Sequence, residues 1–129
     1  MPQTVYLDAS AVVKLVRQEA ESAALETALV GDQERLSSLV VEVEVRRAAR
    51  RFGLEERATD VLDRLTLLEL EPEIASAAAL GDPPGLRSLD AIHLATALSL
   101  GEELSTFVCY DGRLAAAADR AGLAVLAPA

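Results

Sequence analysis

The sequence predicts an α/β fold, a central parallel sheet of about four to five strands with helices on both faces in three layers. Three observations carry that reading. Short strand-forming runs alternate with segments of helical length from end to end. The chain is 51% apolar, rich in Ala, Leu and Val, so it has a core to build. At 129 residues, with no linker, repeat or low-complexity tract, it is expected to form one domain over residues 1–129.

The elements follow in order. Val5-Tyr6-Leu7 reads as a buried first strand that stops at Asp8. Ser10 to Val16 is a helix, and Glu19 to Val30 a second, closed by Gly31 where a left-handed C-cap is favoured. Arg35 to Ser38 is a short strand. Val41-Glu42-Val43-Glu44-Val45 alternates like a strand, but it runs on into Arg46-Arg47-Ala48-Ala49-Arg50-Arg51 and ends at Phe52-Gly53. It is therefore read as a helix, with Ser37 or Ser38 as its N-cap. Leu54 to Leu65 is amphipathic, with Leu54, Ala58, Val61, Leu62 and Leu65 on one side. Leu67 to Leu70 is a strand. Pro72 suits the first turn of a helix reaching Leu80. Gly81-Asp82-Pro83-Pro84-Gly85 is a loop. Ser88 is expected to cap a helix through Leu100. Thr106 to Tyr110 is a strand, Asp111 caps a helix from Gly112 to Ala121, and Leu123 to Leu126 is the last strand.

Composition excludes several function classes. Net charge is −9, which disfavours binding nucleic acid mainly through phosphate contacts. Four aromatic residues, Tyr6, Tyr110, Phe52 and Phe107, are too few for a base-stacking surface. The lone Cys109 excludes an internal disulfide and fits a reducing cytosol. There is no basic-then-apolar leader and no apolar run of membrane-spanning length, so a cytoplasmic location without membrane attachment is expected.

Carboxylates carry the chemistry. Asp8 stands at the carboxyl end of a strand, where open α/β sheets place ligands, and it is also a good N-cap for the following helix. Asp111 has the same two readings. Asp90 sits on the first turn of a helix that is apolar nearly all round from Leu89 onward, and Ser88 is already present as a cap. A carboxylate there costs free energy unless paired or bound to a cation. Glu42 is four residues before Arg46, which a surface ion pair explains. Glu44 shares a helix face with Val40, Val41 and Ala48 and has no such explanation, which points to a functional role. His93 lies three residues after Asp90 and is either a second ligand on that face or a packed residue with one satisfied nitrogen. Arg46, Arg47, Arg50 and Arg51 form a basic patch that either pairs with Glu55 and Glu56 or contacts a partner.

Four blocks taken together resemble the PIN-domain ribonucleases, specifically the VapC-type toxins of bacterial and archaeal toxin–antitoxin pairs. They are Tyr6-Leu7-Asp8-Ala9-Ser10-Ala11 with Lys14-Leu15, Glu44-Val45-Arg46-Arg47-Ala48, Leu86-Arg87-Ser88-Leu89-Asp90-Ala91-Ile92-His93-Leu94-Ala95, and Phe107-Val108-Cys109-Tyr110-Asp111-Gly112-Arg113-Leu114 followed by Ala121-Gly122-Leu123. The resemblance spans essentially the whole chain and implies a PIN-like fold. It carries the family's acidic catalytic and metal-binding set onto Asp8, Glu44, Asp90 and Asp111, with Ser10 as the supporting hydroxyl. Cys109 departs from the Thr or Ser that many members place two before the last Asp; a thiol is a poorer hydrogen-bond partner, so a different support of Asp111 is expected there. The activity implied is that of an endoribonuclease toxin using Mg²⁺ or Mn²⁺ to hydrolyse RNA, with a homodimeric state and a cognate antitoxin that covers the site. All-oxygen ligation suits those cations and not structural Zn²⁺. The alternative on the same fold is a catalytically weak or inactive binding module. A receiver-type phospho-acceptor domain would need a Lys late in the chain, whereas the only Lys is Lys14. A HAD-type phosphatase would need an Asp where Ser10 stands.

Overall fold

Alternate side chains of the first strand point to opposite faces of a sheet, and both faces of this one are covered. In the structure, a computed structural model describing residues 3–31 and 33–129, β1 spans Gln3–Leu7. Its Val5 and Leu7 enter one core and its Tyr6 the other. The remaining strands are β2 (Gln33–Ser38), β3 (Thr66–Leu68), β4 (Thr106–Val108) and β5 (Val125–Leu126). The helices are α1 (Ala9–Val16), α2 (Ser22–Ala28), α3 (Val40–Arg50), α4 (Glu55–Leu62), α5 (Pro72–Leu80), α6 (Ser88–Ser99) and α7 (Gly112–Arg120). A 3-10 turn, Gly101–Glu103, links α6 to β4.

The sheet has five parallel strands in the order β3-β2-β1-β4-β5. The PIN-like three-layer α/β/α expectation is met. One layer packs α1 to α4 against Val5, Leu7 and Val108, through Val12, Leu25, Val41, Val45 and Ala58 among others. The other packs α6 and α7 against Tyr6, Leu36 and Phe107, through Leu94, Ala97, Leu114 and Ala118. Strand order runs one way from β1 to β3 and the other way from β4 to β5. The switch therefore falls between β1 and β4, where open α/β sheets form a crevice beyond the strands' carboxyl ends.

Helix starts are where the sequence reading needed correction. Asp8 and Asp111 do cap α1 and α7, accepting from the Ala11 and Leu114 N–H groups. Ser88 does not cap α6. The cap position is Arg87, with no side-chain bond, and Ser88 is the first helical residue. The N-cap of α3 is Leu39, also without a side-chain bond, although the Ser38 Oγ accepts from the Val40 N–H at 3.3 Å. Leu54 to Leu65 shortens to Glu55–Leu62, and Glu19 to Val30 to Ser22–Ala28. In the second case Ser22 takes over the start: its hydroxyl accepts from the Glu19 N–H and donates to the Lys14 carbonyl.

Candidate active site

Asp8 ends β1 at the topological switch, and its own N–H donates to the Val108 carbonyl at the end of β4. The side chain is 2% exposed. Its Oδ1 accepts from the Ser10 hydroxyl at 2.7 Å and the Ala11 N–H at 3.0 Å. Its Oδ2 lies 3.2 Å from the Cys109 thiol, which donates to it. Burial raises the Asp8 pKa above the ordinary carboxylate value, and the bonds from Ser10, Ala11 and Cys109 oppose that rise. Ser10 does more than hold Asp8. Its oxygen accepts from the Tyr110 N–H at 2.8 Å, so one hydroxyl ties the end of β1 to the segment after β4.

Asp111 lies on the β4 side of the same crevice, half-buried, with Oδ1 accepting from Leu114 N–H at 3.0 Å. Cys109 touches Asp111 only at its backbone carbonyl, 3.5 Å away. The residue expected to support Asp111 thus supports Asp8. The Cys109 thiol is buried, and burial together with the Asp8 charge raises its pKa, so it stays protonated and available as a donor.

Asp90 reaches the same end of the sheet from the first turn of α6 and is half-buried. Its pKa is raised, first by desolvation, then by the negative charges of Asp111 and Asp8, with a smaller push from Glu44. Asp90 thus lies in the field of the other three carboxylates picked out from the sequence. Glu44, on the second turn of α3, is half-buried beside Val41 and Val45. Its Oε1 is 2.7 Å from His93 Nε2.

His93 is fully buried, and both ring nitrogens are engaged, Nδ1 with the Tyr6 hydroxyl at 2.7 Å and Nε2 with Glu44. Neither is free for a metal, so the second-ligand reading of His93 gives way to the packed one, with two satisfied nitrogens rather than one. This link was missed from the sequence. A Tyr inside a buried strand needs a partner for its hydroxyl, which was the available signal. Glu42 pairs with Arg46 at 3.2 Å as expected, and Arg46 also donates to Thr59. The other arginines of α3 line one open cleft, and among the described residues they form no ion pair with Glu55 or Glu56.

Among the described residues, no three His, Cys, Asp or Glu side chains close around one point that would hold a metal ion as they stand. What the fold brings together is a shared field of carboxylates at the switch crevice. The donor chemistry fits a hard divalent cation: the groups are oxygens, burial and then the charges of Asp111 and Asp8 raise the Asp90 pKa, and Asp8 is desolvated with no ion-pair partner among the described residues.

Comparison with known proteins agrees with this architecture. The family model of the PIN domain matches residues 5–120. Ribonuclease VapC35 of Mycobacterium tuberculosis is 45% identical over 130 residues, covering 96% of each chain. Ribonuclease VapC46 of the same organism is 42% identical over 126 residues, covering 96% of this chain and 97% of the relative. Among solved structures, M. tuberculosis VapC20, described as a sarcin-ricin loop cleaving toxin, superposes with a TM-score of 0.75 at 15% identity, over 96% of this chain and 99% of that one. A toxin–antitoxin complex from Klebsiella pneumoniae gives 0.71 at 23%, over 97% and 98%. At those identities the two structures speak for the fold alone.

Proposed function

This chain belongs to the PIN domain family, and from that premise we propose that it is an endoribonuclease toxin that hydrolyses RNA phosphodiester bonds with the help of Mg²⁺ or Mn²⁺. The observation that carries the reading is the field at the switch crevice, where Asp90 feels Asp111, Asp8 and Glu44 at once. Asp8 and Asp90 would be the principal cation ligands, with Asp111 and Glu44 completing the set directly or through water. Such a cation neutralises phosphate charge and lowers the pKa of bound water.

The chain's own residues prepare that site. Ser10, the Ala11 N–H and Cys109 bond both oxygens of Asp8 and so orient the carboxylate. Asp111 is fixed from its own helix by the Leu114 N–H. Burial of Asp8 excludes water from one side and strengthens every charge interaction there. By likeness to toxins of its family, the protein is further proposed to act as a homodimer in the cytoplasm and to be neutralised by a cognate antitoxin covering the crevice.

The test is cleavage of total RNA with Mn²⁺ by the wild type, Asp8→Asn and Asp90→Asn. Each variant should lose at least about 100-fold in rate, as for other electrostatic groups aimed at developing charge, and EDTA should stop the wild type. Cleavage that survives both substitutions, or that persists in EDTA, removes the proposal.

A further inference from the structure

Tyr6, His93 and Glu44 come from β1, α6 and α3, and they form one continuous buried chain of hydrogen bonds. Glu44 is a carboxylate and only accepts, so His93 Nε2, at 2.7 Å, carries the proton and donates. In that tautomer Nδ1 is bare and accepts from the Tyr6 hydroxyl at 2.7 Å. The Tyr6 oxygen in turn accepts from the Ser38 N–H at 3.0 Å, two residues before α3 begins. Phe107 stacks on the Tyr6 ring at 5.3 Å, with the rings 11° from parallel, and His93 meets the same ring edge-on at 5.8 Å. Tyr6 and His93 are both 0% exposed. Without this chain Glu44 would be a flexible acidic side chain at the margin of an apolar helix face.

We infer that His93, oriented by Tyr6, is a positioning residue that aims the Glu44 carboxylate into the acidic crevice and so tunes its affinity for a divalent cation. The inference rests on the reading of Glu44 as a member of the cation-binding set. A metal-ligating group is commonly steered by a partner hydrogen-bonded behind it, and losing such a partner typically costs roughly 10- to 100-fold in metal affinity or activity. A residue that merely filled space would not act through Glu44.

The test uses Mn²⁺ alone, titrated calorimetrically into the full chain. Glu44→Gln should weaken Mn²⁺ binding. His93→Leu, which keeps the volume and removes both nitrogens, should weaken it by roughly 10- to 100-fold. His93→Gln, which restores an N–H donor, should recover part of the loss. The double variant of Glu44→Gln with His93→Leu should bind no worse than Glu44→Gln alone, because groups acting through one contact are not additive. Nitrogen-15 NMR of the single histidine should show Nε2 protonated and Nδ1 bare, and Tyr6→Phe, the milder change if His93→Leu fails to fold, should disturb that tautomer and weaken Mn²⁺ binding. If Glu44→Gln weakens binding while His93→Leu and Tyr6→Phe leave it unchanged, the inference fails and the site reading stands. If Glu44→Gln itself has no effect, both the place of Glu44 and the inference are overturned. A ring protonated only on Nδ1 also overturns the inference.

Discussion

Asp8 shows how much a single carboxylate can be asked to tolerate. It is buried to 2% exposure with no ion-pair partner among the described residues, and the hydrogen bonds from Ser10, the Ala11 N–H and the Cys109 thiol offset part of the desolvation. Asp8→Asn removes the charge and keeps one acceptor oxygen for the Ser10 and Ala11 donors, giving up only the bond from the Cys109 thiol. Thermal denaturation in EDTA should therefore show the variant more stable than the wild type, by about 1 kcal/mol, while its RNA cleavage is lost. Equal or lower stability would mean that the charge is better compensated than the geometry implies. Ser10→Ala tests the neighbouring joint. It removes the donor to Asp8 and the acceptor for the Tyr110 N–H together, so urea denaturation should register a loss of about 1–3 kcal/mol. At this scale Glu44 and Asp90 stood out because each broke a local rule: Glu44 sat on an apolar face, and Asp90 sat where a buried helix begins, whereas Asp8 and Asp111 read equally well as the helix caps that they are. Their supports were not legible. The thiol of Cys109 turns to Asp8 rather than the Asp111 side chain, and Tyr6 meets His93 across 87 residues. Contacts of that separation are decided by packing, which periodicity does not encode.

Helices and strands were readable wherever pattern and punctuation agreed, and misread where a cap was assumed from residue type. Ser88 is a good capping residue by composition, yet the backbone turns one residue earlier and leaves it inside α6. The apolar character of α6 is explained by its neighbours. Its residues His93 to Ala97 are buried, while α5, lying alongside, buries none of its own side chains. Hydropathy alone does not distinguish the covered helix from the one that covers it. Besides the Ser22 hydroxyl bond to the Lys14 carbonyl, an ion pair joins α1 to the start of α2. Lys14 Nζ is 2.9 Å from Glu21 and 3.7 Å from Glu19, and it lies 4.8 Å from the centre of the Tyr110 ring. The ammonium beside it lowers the Glu21 pKa, chiefly through the hydrogen bond. A carboxyl with a depressed folded pKa contributes stability above its unfolded value, and that contribution is lost as pH falls through the folded one. The melting temperature of the wild type should thus exceed that of Glu21→Gln slightly at pH 7, and the gap should close on acidification below the ordinary Glu range. A gap that widens in acid would contradict the pairing. Because Glu21 and its partner are only partly buried and in reach of solvent, the effect should also shrink in high salt.

The whole molecule is acidic, −9 at neutral pH, and the fold concentrates part of that charge at the crevice between β1 and β4. Parallel strands and covering helices followed from the alternation of elements. The strand order did not, because crossover direction depends on which sheet edge each helix pair packs over, and that is a property of the assembled layers. Yet the order is what matters for function: it sets Asp8 and Asp111, the caps of α1 and α7, in the connections that follow the neighbouring strands β1 and β4. An acidic crevice repels the phosphates of RNA, and a divalent cation inverts that local field. The same electrostatics links cation binding to folding. A cation held only by the folded chain stabilises it by about 2.7 kcal/mol at a concentration 100 times its Kd. For a chain of this size that corresponds to a rise in Tm of roughly 10 °C. Thermal scans with increasing Mn²⁺ should show such a rise in the wild type, reversed by EDTA and much reduced in Asp8→Asn and Asp90→Asn. The rise should precede any RNA binding, since it depends on the carboxylates alone. If Mn²⁺ shifts the wild type and both variants equally, the ion is binding elsewhere on the acidic surface. A wild type that does not shift at all would mean that the carboxylates share a field without sharing a cation.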